Sequence, residues 1–562
     1  MNQLLKSRSG GQILVDALRI NGVERAFCVP GESYLAVLDA LYDAREQIDL
    51  VVCRQEGGAA YMAEAYGKLT GKPGICFVTR GPGATNASVG VHTAFQDSSP
   101  MILFIGQVAR DQRDREAFQE VDFRAMFAPL AKWVVQIEDA RRIPELVSQA
   151  FHRAMNGRPG PVVVSLPEDM LTDVVEVTDA GPARAIEPHA NDSDMRELRQ
   201  LLQRSERPLM ILGGGGWNSR AVADIRRFAE HHDLPVAASF RCQDLIDNTH
   251  PNYVGDLGFA AAPKLVQAVK DADLLLVVGA RLGEVSTSGY TIVDIPNPRQ
   301  ALVHVHPGIE ELGRVYQPTL GINSGMASFA ALAAELPETD GKRCPDWRSE
   351  LNRNYQQNLV PVPSPGAVQM AEIIAWLRNR LPADAILTNG AGNYAVWVQR
   401  FYQYRQFRTQ LGPTNGSMGY GVPAAVAAKL THPERTVIAF AGDGCFLMNG
   451  QEIATAANYG ANVIFIVVNN GMYGTIRMHQ ERNYPGRVSG TDLHNPDFAT
   501  LARAYGLHGE TVDSTESFAQ AFERCAAANR PALIEVRIDR EAITPRQSLS
   551  QIREESRIKL SQ

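Results

Sequence analysis

A short apolar run, TVIAFA, leads into Gly442-Asp443-Gly444, and the next such run, NVIFIVV, ends in Asn469-Asn470-Gly471, so that Asn470 follows Asp443 by 27 residues. Both runs read as buried parallel strands, whose carboxyl ends lie side by side at the edge where open α/β sheets bind ligands. An Asp carboxylate and an Asn side-chain carbonyl are hard oxygen donors suited to Mg²⁺, which takes its remaining oxygens from water and from phosphate groups. Glycines on either side of the Asp let the backbone come close to a diphosphate. A lone Gly-Asp-Gly is more often a turn. With the Asn pair at the next strand end, the spacing describes a metal-bridged diphosphate site.

Two Gly-rich segments precede that pair: Gly390-Ala391-Gly392-Asn393-Tyr394, and the run from Gly412 to Gly421 with Met418 lying 25 residues before Asp443. Near the other end, Cys53-Arg54-Gln55-Glu56-Gly57-Gly58 places one acid where a strand gives way to a helix.

The elements that must carry these residues are legible as short aliphatic runs ended by Gly or Pro, alternating with helical periodicity. AFCVPG, LVV, GICFVTRGPG, PMILFIGQ and GPVVVSLP, after a helix near residues 12–21, make a first α/β unit, expected at 1–180. RPLMILGGGGW, LPVAASF, ADLLLVVGARLG and ALVHVHP make a second, at 195–336. AILTNG, TVIAFAGDG, NVIFIVVNN and ALIEVRI, after a helix around 368–381, make a third, at 360–545. Polar stretches at 172–194 and 337–366 are expected linkers, and the tail from about Glu541 is expected to be loosely ordered. The fold class is therefore α/β, with three consecutive doubly wound parallel-sheet domains. A length of 562 residues agrees with about that many domains.

Hydrophobic residues at 45% and charged residues at 21% are ordinary for a globular chain, and a net charge of −7 offers no basic footprint for nucleic acid or an anionic membrane. A small-molecule substrate is the better expectation. Seven dispersed cysteines without C-x-x-C pairs suggest reduced thiols and a cytoplasmic location, and neither a signal-peptide core nor a membrane span is expected.

The G-D-G…N-N pattern resembles the thiamine-diphosphate motif, and Arg80-Gly81-Pro82-Gly83-Ala84-Thr85-Asn86, Gly106-Gln107, Ala117-Phe118-Gln119-Glu120, Lys132-Trp133 and Gly157-Arg158-Pro159-Gly160-Pro161-Val162 resemble the acetolactate synthases closely. That resemblance implies thiamine diphosphate and Mg²⁺, the metal held by Asp443, Asn470 and the main-chain carbonyl of Met472. It implies pyrimidine-binding, central and diphosphate-binding domains in that order. Met418 would hold the two cofactor rings in a V, and the Gly416 carbonyl would accept from the 4′-amino group. Glu56 would hydrogen-bond the aminopyrimidine, since a carboxyl in an apolar pocket can share a proton with a ring nitrogen and promote the imino tautomer. Further cofactor contacts are implied from Pro30 and Asn86, from Asn393 and Tyr394, from Gly442, Gly444 and Cys445, and from Tyr473 and Gly474. Gln119 is a catalytic candidate. Ser33, Phe118, Lys132 and His479 are substrate-side candidates, although packing explains Phe118, Gln119 and Lys132 equally well and helix capping does so for Ser33. The resemblance also implies a homodimer or homotetramer with active sites at the dimer interface.

The implied reaction is decarboxylation of a 2-keto acid such as pyruvate followed by carboligation to a second carbonyl. Two departures keep a non-ligating decarboxylase or aldehyde lyase open: His479 stands where the family has a tryptophan, and Gly279-Ala280-Arg281-Leu282-Gly283-Glu284-Val285 lacks the family's second arginine. The second departure also puts FAD in doubt, as does Gly213-Gly214-Gly215-Gly216, in which Asn218 stands where G-x-G-x-x-G needs its third glycine. His231-His232 reads as a solvated pair on a helix. A non-catalytic cofactor-binding protein is the alternative from another class.

Overall fold

The computed structural model describes residues 7–259, 261–338 and 343–561. They form two compact units, Met1–Ile186 and Glu187–Gln562. The first holds one six-stranded parallel sheet and the second holds two, each flanked by helices.

In the first unit β1 (Arg25–Cys28), β2 (Asp49–Val52), β3 (Gly74–Val78), β4 (Met101–Gln107), β5 (Trp133–Gln136) and β6 (Pro161–Pro167) pair in the order β2-β1-β3-β4-β6-β5. The strands β3, β4 and β6 are buried at every position, as strands covered on both faces must be. The central sheet comprises β7 (Pro208–Leu212), β8 (Val236–Ser239), β9 (Tyr253–Leu257), β10 (Leu274–Val278), β11 (Ala301–His306) and β12 (Leu320–Asn323), ordered β9-β8-β7-β10-β11-β12. The third comprises β13 (Ile386–Asn389), β14 (Gln410–Leu411), β15 (Val437–Gly442), β16 (Ile464–Asn469), β17 (His508–Val512) and β18 (Ala532–Arg537), ordered β14-β13-β15-β16-β18-β17. The first and third sheets thus share one topology, whose order reverses between β1 and β3 and between β13 and β15. Such reversals leave a crevice outside the strand ends, because the flanking connections diverge to opposite faces.

Every strand expected from an apolar run is present. Within the three six-stranded sheets five others, β5, β9, β12, β14 and β17, are additional, and all five lie at sheet edges. The stretch 172–194 is partly ordered: Val174–Glu176 pairs antiparallel with Ser7–Ser9, and a helix begins at Asp192 behind the Asn191 cap. Residues 337–366 are not simply a linker, because Trp347–Asn358 is a helix. It buries Leu351 and Tyr355, and the Tyr355 ring meets Tyr253 edge-on at 4.8 Å. The tail is not loose either: Leu549–Ser561 is a helix that adds Leu549 and Ile552 to a small core with Met472, Met478 and Ile543. His231 is exposed as expected but His232 is not: its ring is buried against Phe228, at 4.9 Å between centroids, and burial lowers its pKa.

All seven cysteines are free, and among the described residues no helix is long and apolar enough to cross a membrane.

Deleting the buried aromatic ring that anchors the 347–358 helix, with Tyr355→Ala, is expected to cost about 3 to 5 kcal/mol. The readout is the midpoint of urea unfolding at unchanged slope. A midpoint equal to the parent's would show that the helix contributes nothing to the fold.

Candidate active site

In the third sheet the parallel register pairs Gly442 with Val468, so β15 and β16 end side by side. Asp443 opens the helix Asp443–Asn449 and is only 3% exposed. Its Oδ1 accepts from Gly444 N at 2.9 Å, and its Oδ2 accepts from Gly471 N at 2.8 Å and from Asn495 Nδ2 at 2.7 Å. Burial pushes its carboxyl above the usual range, against the pull of these donors. Among the described residues no cationic side chain forms an ion pair with it, and its hydrogen-bond donors are neutral amides.

Asn470 lies alongside: its Oδ1 accepts from Met472 N at 3.3 Å, and Gly474 is glycine where a Cβ would stand 3.0 Å from Asn470 Nδ2. Asn469 bridges outward, its Nδ2 donating to Glu535 at 2.7 Å and its Oδ1 accepting from Asn495 Nδ2 at 2.9 Å. Asn495 thus holds Asp443 and Asn469 with one amide group. It escaped the sequence reading because the only local signal, Asn495-Pro496 before a helix, is that of an ordinary turn.

Across the reversal point, the loop after β13 packs against Gly442 and Cys445, on either side of Asp443. Gly390 N donates to the Tyr394 hydroxyl at 3.0 Å, that hydroxyl lies 3.3 Å from Cys445 Sγ, and Cys445 Sγ in turn accepts from Gly419 N at 3.2 Å. Tyr394 and Cys445 are therefore buried between the loops and pack them together. Tyr473 covers Gly444, where a Cβ would meet its ring at 2.5 Å. Asn393 is engaged through both ends of its amide, accepting from Thr475 Oγ1 at 2.9 Å and donating to Ile543 O at 3.0 Å. In the loop after β14, Gly416 has φ +71°, which favours glycine, and Gly416 N donates to Pro413 O at 3.2 Å. Met418, half-buried, packs on the third core. His479 is exposed on the helix Gly474–Asn483, two residues before Glu481. The Glu481 carboxylate is fully buried and takes two bonds of 2.8 Å from Arg553 and one of 3.0 Å from Arg477. Arg553 foremost, with Gly486 N–H and Arg477, holds its pKa down at about 2.

In the first unit Glu56 is the first residue of the helix Glu56–Thr70, behind a Gln55 cap, and its Oε2 accepts from Asn86 Nδ2 at 2.9 Å. Small residues let that helix meet Gly81–Asp97 closely: a Cβ on Gly90 would lie 2.4 Å from that of Ala60. Pro30 is exposed after β1. Ser33 does not cap a helix; it is buried with its Oγ 2.9 Å from Thr79 Oγ1. Phe118 is 73% exposed. Gln119 has φ +65°, its carbonyl accepts from Gly81 N at 3.0 Å, and its buried Oε1 has no partner among the described residues. Lys132 donates to Asn156 O at 2.7 Å and Arg158 O at 2.6 Å, closing the loop before β6.

Residues 390–536 match the family model "Thiamine pyrophosphate enzyme, C-terminal TPP binding domain", residues 8–126 the corresponding N-terminal TPP binding domain, and residues 195–333 the central domain. The "Acetolactate synthase large subunit" of Parasynechococcus marenigrum (strain WH8102) is 33% identical, with 95% of this chain and 88% of that protein covered. That of Lactococcus lactis subsp. lactis (strain IL1403) is 32% identical, over 96% and 94%. The "Acetolactate synthase isozyme 2 large subunit" of Escherichia coli (strain K12) is 31% identical, over 94% and 96%. This chain belongs to the acetolactate synthase family of thiamine-diphosphate enzymes.

The residues present fit the family's cofactor. A buried carboxylate short of a cation, an adjacent amide oxygen, and loops whose glycines leave room for a ligand are what a metal-bound diphosphate requires. The central sheet of this family member has the strand order of dinucleotide-binding folds. Its strands β7 and β10 stay paired past their ends, Gly213 N donating to Val278 O at 3.1 Å, and glycines are required there. A Cβ on Gly214 would lie 2.0 Å from Gly279 O, and one on Gly279 would lie 2.3 Å from Gly213 O. Trp217 Nε1 donates to Gly213 O at 2.8 Å, and Asn218 caps the next helix through Ala221 N.

Two outcomes are expected. Asn495→Ala should raise the Mg²⁺ concentration needed for half-maximal thiamine-diphosphate binding by about tenfold, the loss of one charge-assisted hydrogen bond; an unchanged Mg²⁺ titration would remove Asn495 from the site. For Glu481, a folded-state pKa of about 2 lies below the ordinary 4.5. The ion pair's contribution is therefore complete above about pH 5 and lost as pH falls toward 2, by an amount on the order of 3 kcal/mol. Urea unfolding of Glu481→Gln between pH 3 and pH 7 should show a flatter acid limb than the parent; parallel curves would refute the assignment.

Proposed function

We propose that this chain decarboxylates a 2-keto acid such as pyruvate and joins the remaining fragment to a second carbonyl, as the acetolactate synthases do, using thiamine diphosphate and Mg²⁺. The observation that carries the reading is the buried Asp443 carboxylate beside Asn470 at two neighbouring strand ends, provided with amide donors and, among the described residues, no ion-pair partner.

Asp443, Asn470 and the Met472 carbonyl would hold Mg²⁺, and the Gly390–Asn393 and Gly412–Gly421 loops would receive the diphosphate. The cofactor, when bound, supplies an electron sink for the carbanion left by loss of CO₂. Met418 would orient its rings, and the Gly416 carbonyl would accept from its amino group. Glu56, held at 2.9 Å by Asn86, would keep a proton at the pyrimidine nitrogen, so Asn86 sets where that proton sits. Gln119 would meet the substrate. In the proposed homodimer or homotetramer the Glu56 unit of one copy serves the cofactor held by another. Flavin has no part in this reading, because Gly279–Val285 lacks the family's second arginine and Asn218 interrupts the glycine motif.

A second reading, decarboxylation with release of free aldehyde, is favoured by one feature: the exposed His479 in place of the family's tryptophan, a smaller and more polar wall for an acceptor. Incubation with pyruvate, Mg²⁺ and thiamine diphosphate separates the two, with acetolactate expected; aldehyde alone would establish the second. Glu56→Gln is expected to lower kcat about 100- to 10,000-fold while thiamine diphosphate still binds. A variant as active as the parent would overturn the proton role, and a parent that binds the cofactor without any turnover would point to a binding protein.

A further inference from the structure

The central sheet reaches the site through one segment. After β8 the chain continues as Phe240-Arg241-Cys242-Gln243-Asp244 and runs along β14, the edge strand of the third sheet. Asp244 Oδ2 accepts from Thr409 N at 3.0 Å and from Gln410 N at 3.2 Å, Gln243 N donates to Gln410 Oε1 at 2.8 Å, and Asn248 N donates to Tyr404 O at 2.8 Å. These bonds cover the sheet edge and attach the segment firmly.

Arg241 does something else. It is 4% exposed, with φ +61°, a backbone conformation that costs an arginine about 1 kcal/mol or more. Its Nη2 donates to Gly390 O at 2.7 Å and its Nη1 to Pro413 O. Gly390 begins the loop that leaves β13, and Pro413 begins the one that leaves β14. Pro413 O also accepts the Gly416 N–H that closes the turn presenting the Gly416 carbonyl. The guanidinium lies over the Phe240 ring at 4.8 Å, and position 412 must be small, since a Cβ on Gly412 would stand 3.0 Å from Arg241 Cδ and 3.3 Å from its Nε and Nη1. A planar fork spans two converging carbonyls; a lysine ammonium, a single point donor, does not.

We infer that Arg241 is a positioning residue that fixes the separation of the two cofactor loops, so that diphosphate and pyrimidine contacts are in place before thiamine diphosphate arrives. The inference rests on the thiamine-diphosphate reading above. It separates attachment of the central domain, done by Gln243, Asp244 and Asn248, from preorganisation of the loops, done by Arg241.

The test is calorimetric titration of thiamine diphosphate, with Mg²⁺ present, into the parent and into Arg241→Met, Arg241→Lys and Arg241→Ala. With two charge-assisted hydrogen bonds removed, Arg241→Met should raise Kd roughly 10- to 100-fold, with Arg241→Lys between it and the parent. Millimolar guanidinium should restore affinity in Arg241→Ala, which leaves a hole of the right shape, and not in Arg241→Met, which fills it. A folded Arg241→Met that binds as tightly as the parent overturns the inference. If Arg241→Met does not fold, an Arg241→Ala protein whose affinity ignores guanidinium overturns it instead. A parent that binds no thiamine diphosphate marks failure of the underlying reading, a result distinct from either.

Discussion

The constraint on which the third sheet is organised is a carboxylate kept ionisable inside the protein without a positive side chain. Removing Asp443 from water costs several kcal/mol unless donors replace the lost hydration. The replacements found here are the backbone N–H groups of Gly444 and Gly471 and the amide of Asn495. A lysine or arginine at the same place would neutralise the charge better, and would also fill the position a divalent ion needs. The surroundings are accordingly neutral amides, Asn469, Asn470 and Asn495, which stabilise an anion only in part. The remaining deficit suits the site to the divalent cation proposed above.

The need for close backbone approach explains the glycine distribution. Gly442 and Gly390 are glycine because Tyr394 and Cys445 occupy the space a Cβ would need, and these two side chains in turn fasten the loops on opposite sides of the strand-order reversal. The first sheet repeats the same strand order without the same use: its acid sits beyond the outer strand β2, on a helix steadied by Asn86. The central sheet has a different strand order, and its contribution passes through the segment after β8. Three sheets of one class therefore carry three roles, and strand order alone does not separate the first from the third.

What could be read from the sequence follows from how much of the signal is local. Strands buried on both faces announce themselves as aliphatic runs, so β3, β4, β6, β7, β10, β15, β16 and β18 were legible, as were Asp443 and Asn470 at two of their ends. Edge strands other than β2 carry no such run: β17 reads HGETV and is mostly half-buried, β14 is two residues long, and β9 contains Gly255 and Asp256. The helix 347–358 hides in a polar stretch because only Leu351 and Tyr355 need to be buried to hold it. Asn495 and Arg241 were illegible for a different reason. Each acts on residues far away in sequence, Arg241 on positions 390 and 413, and nothing in its own neighbourhood marks it.

Backbone strain supplies the signal that composition lacks. Several residues with positive φ have local explanations: Ser98 terminates the helix that begins at Gly81, and Asp346 precedes the helix that begins at Trp347. Gln119 and Arg241 terminate nothing. Gln119 is held at φ +65° by the bond from Gly81 N to its carbonyl, and Arg241 at +61° by its two carbonyl acceptors and the space left at Gly412. A conformation that costs about 1 to 3 kcal/mol persists only where the surroundings over-determine it. A relaxed backbone would take the Gln119 carbonyl from Gly81 N, or the Arg241 guanidinium from Gly390 and Pro413. The strain is therefore tied to where these two side chains point, which distinguishes them from the helix-end residues with the same dihedral.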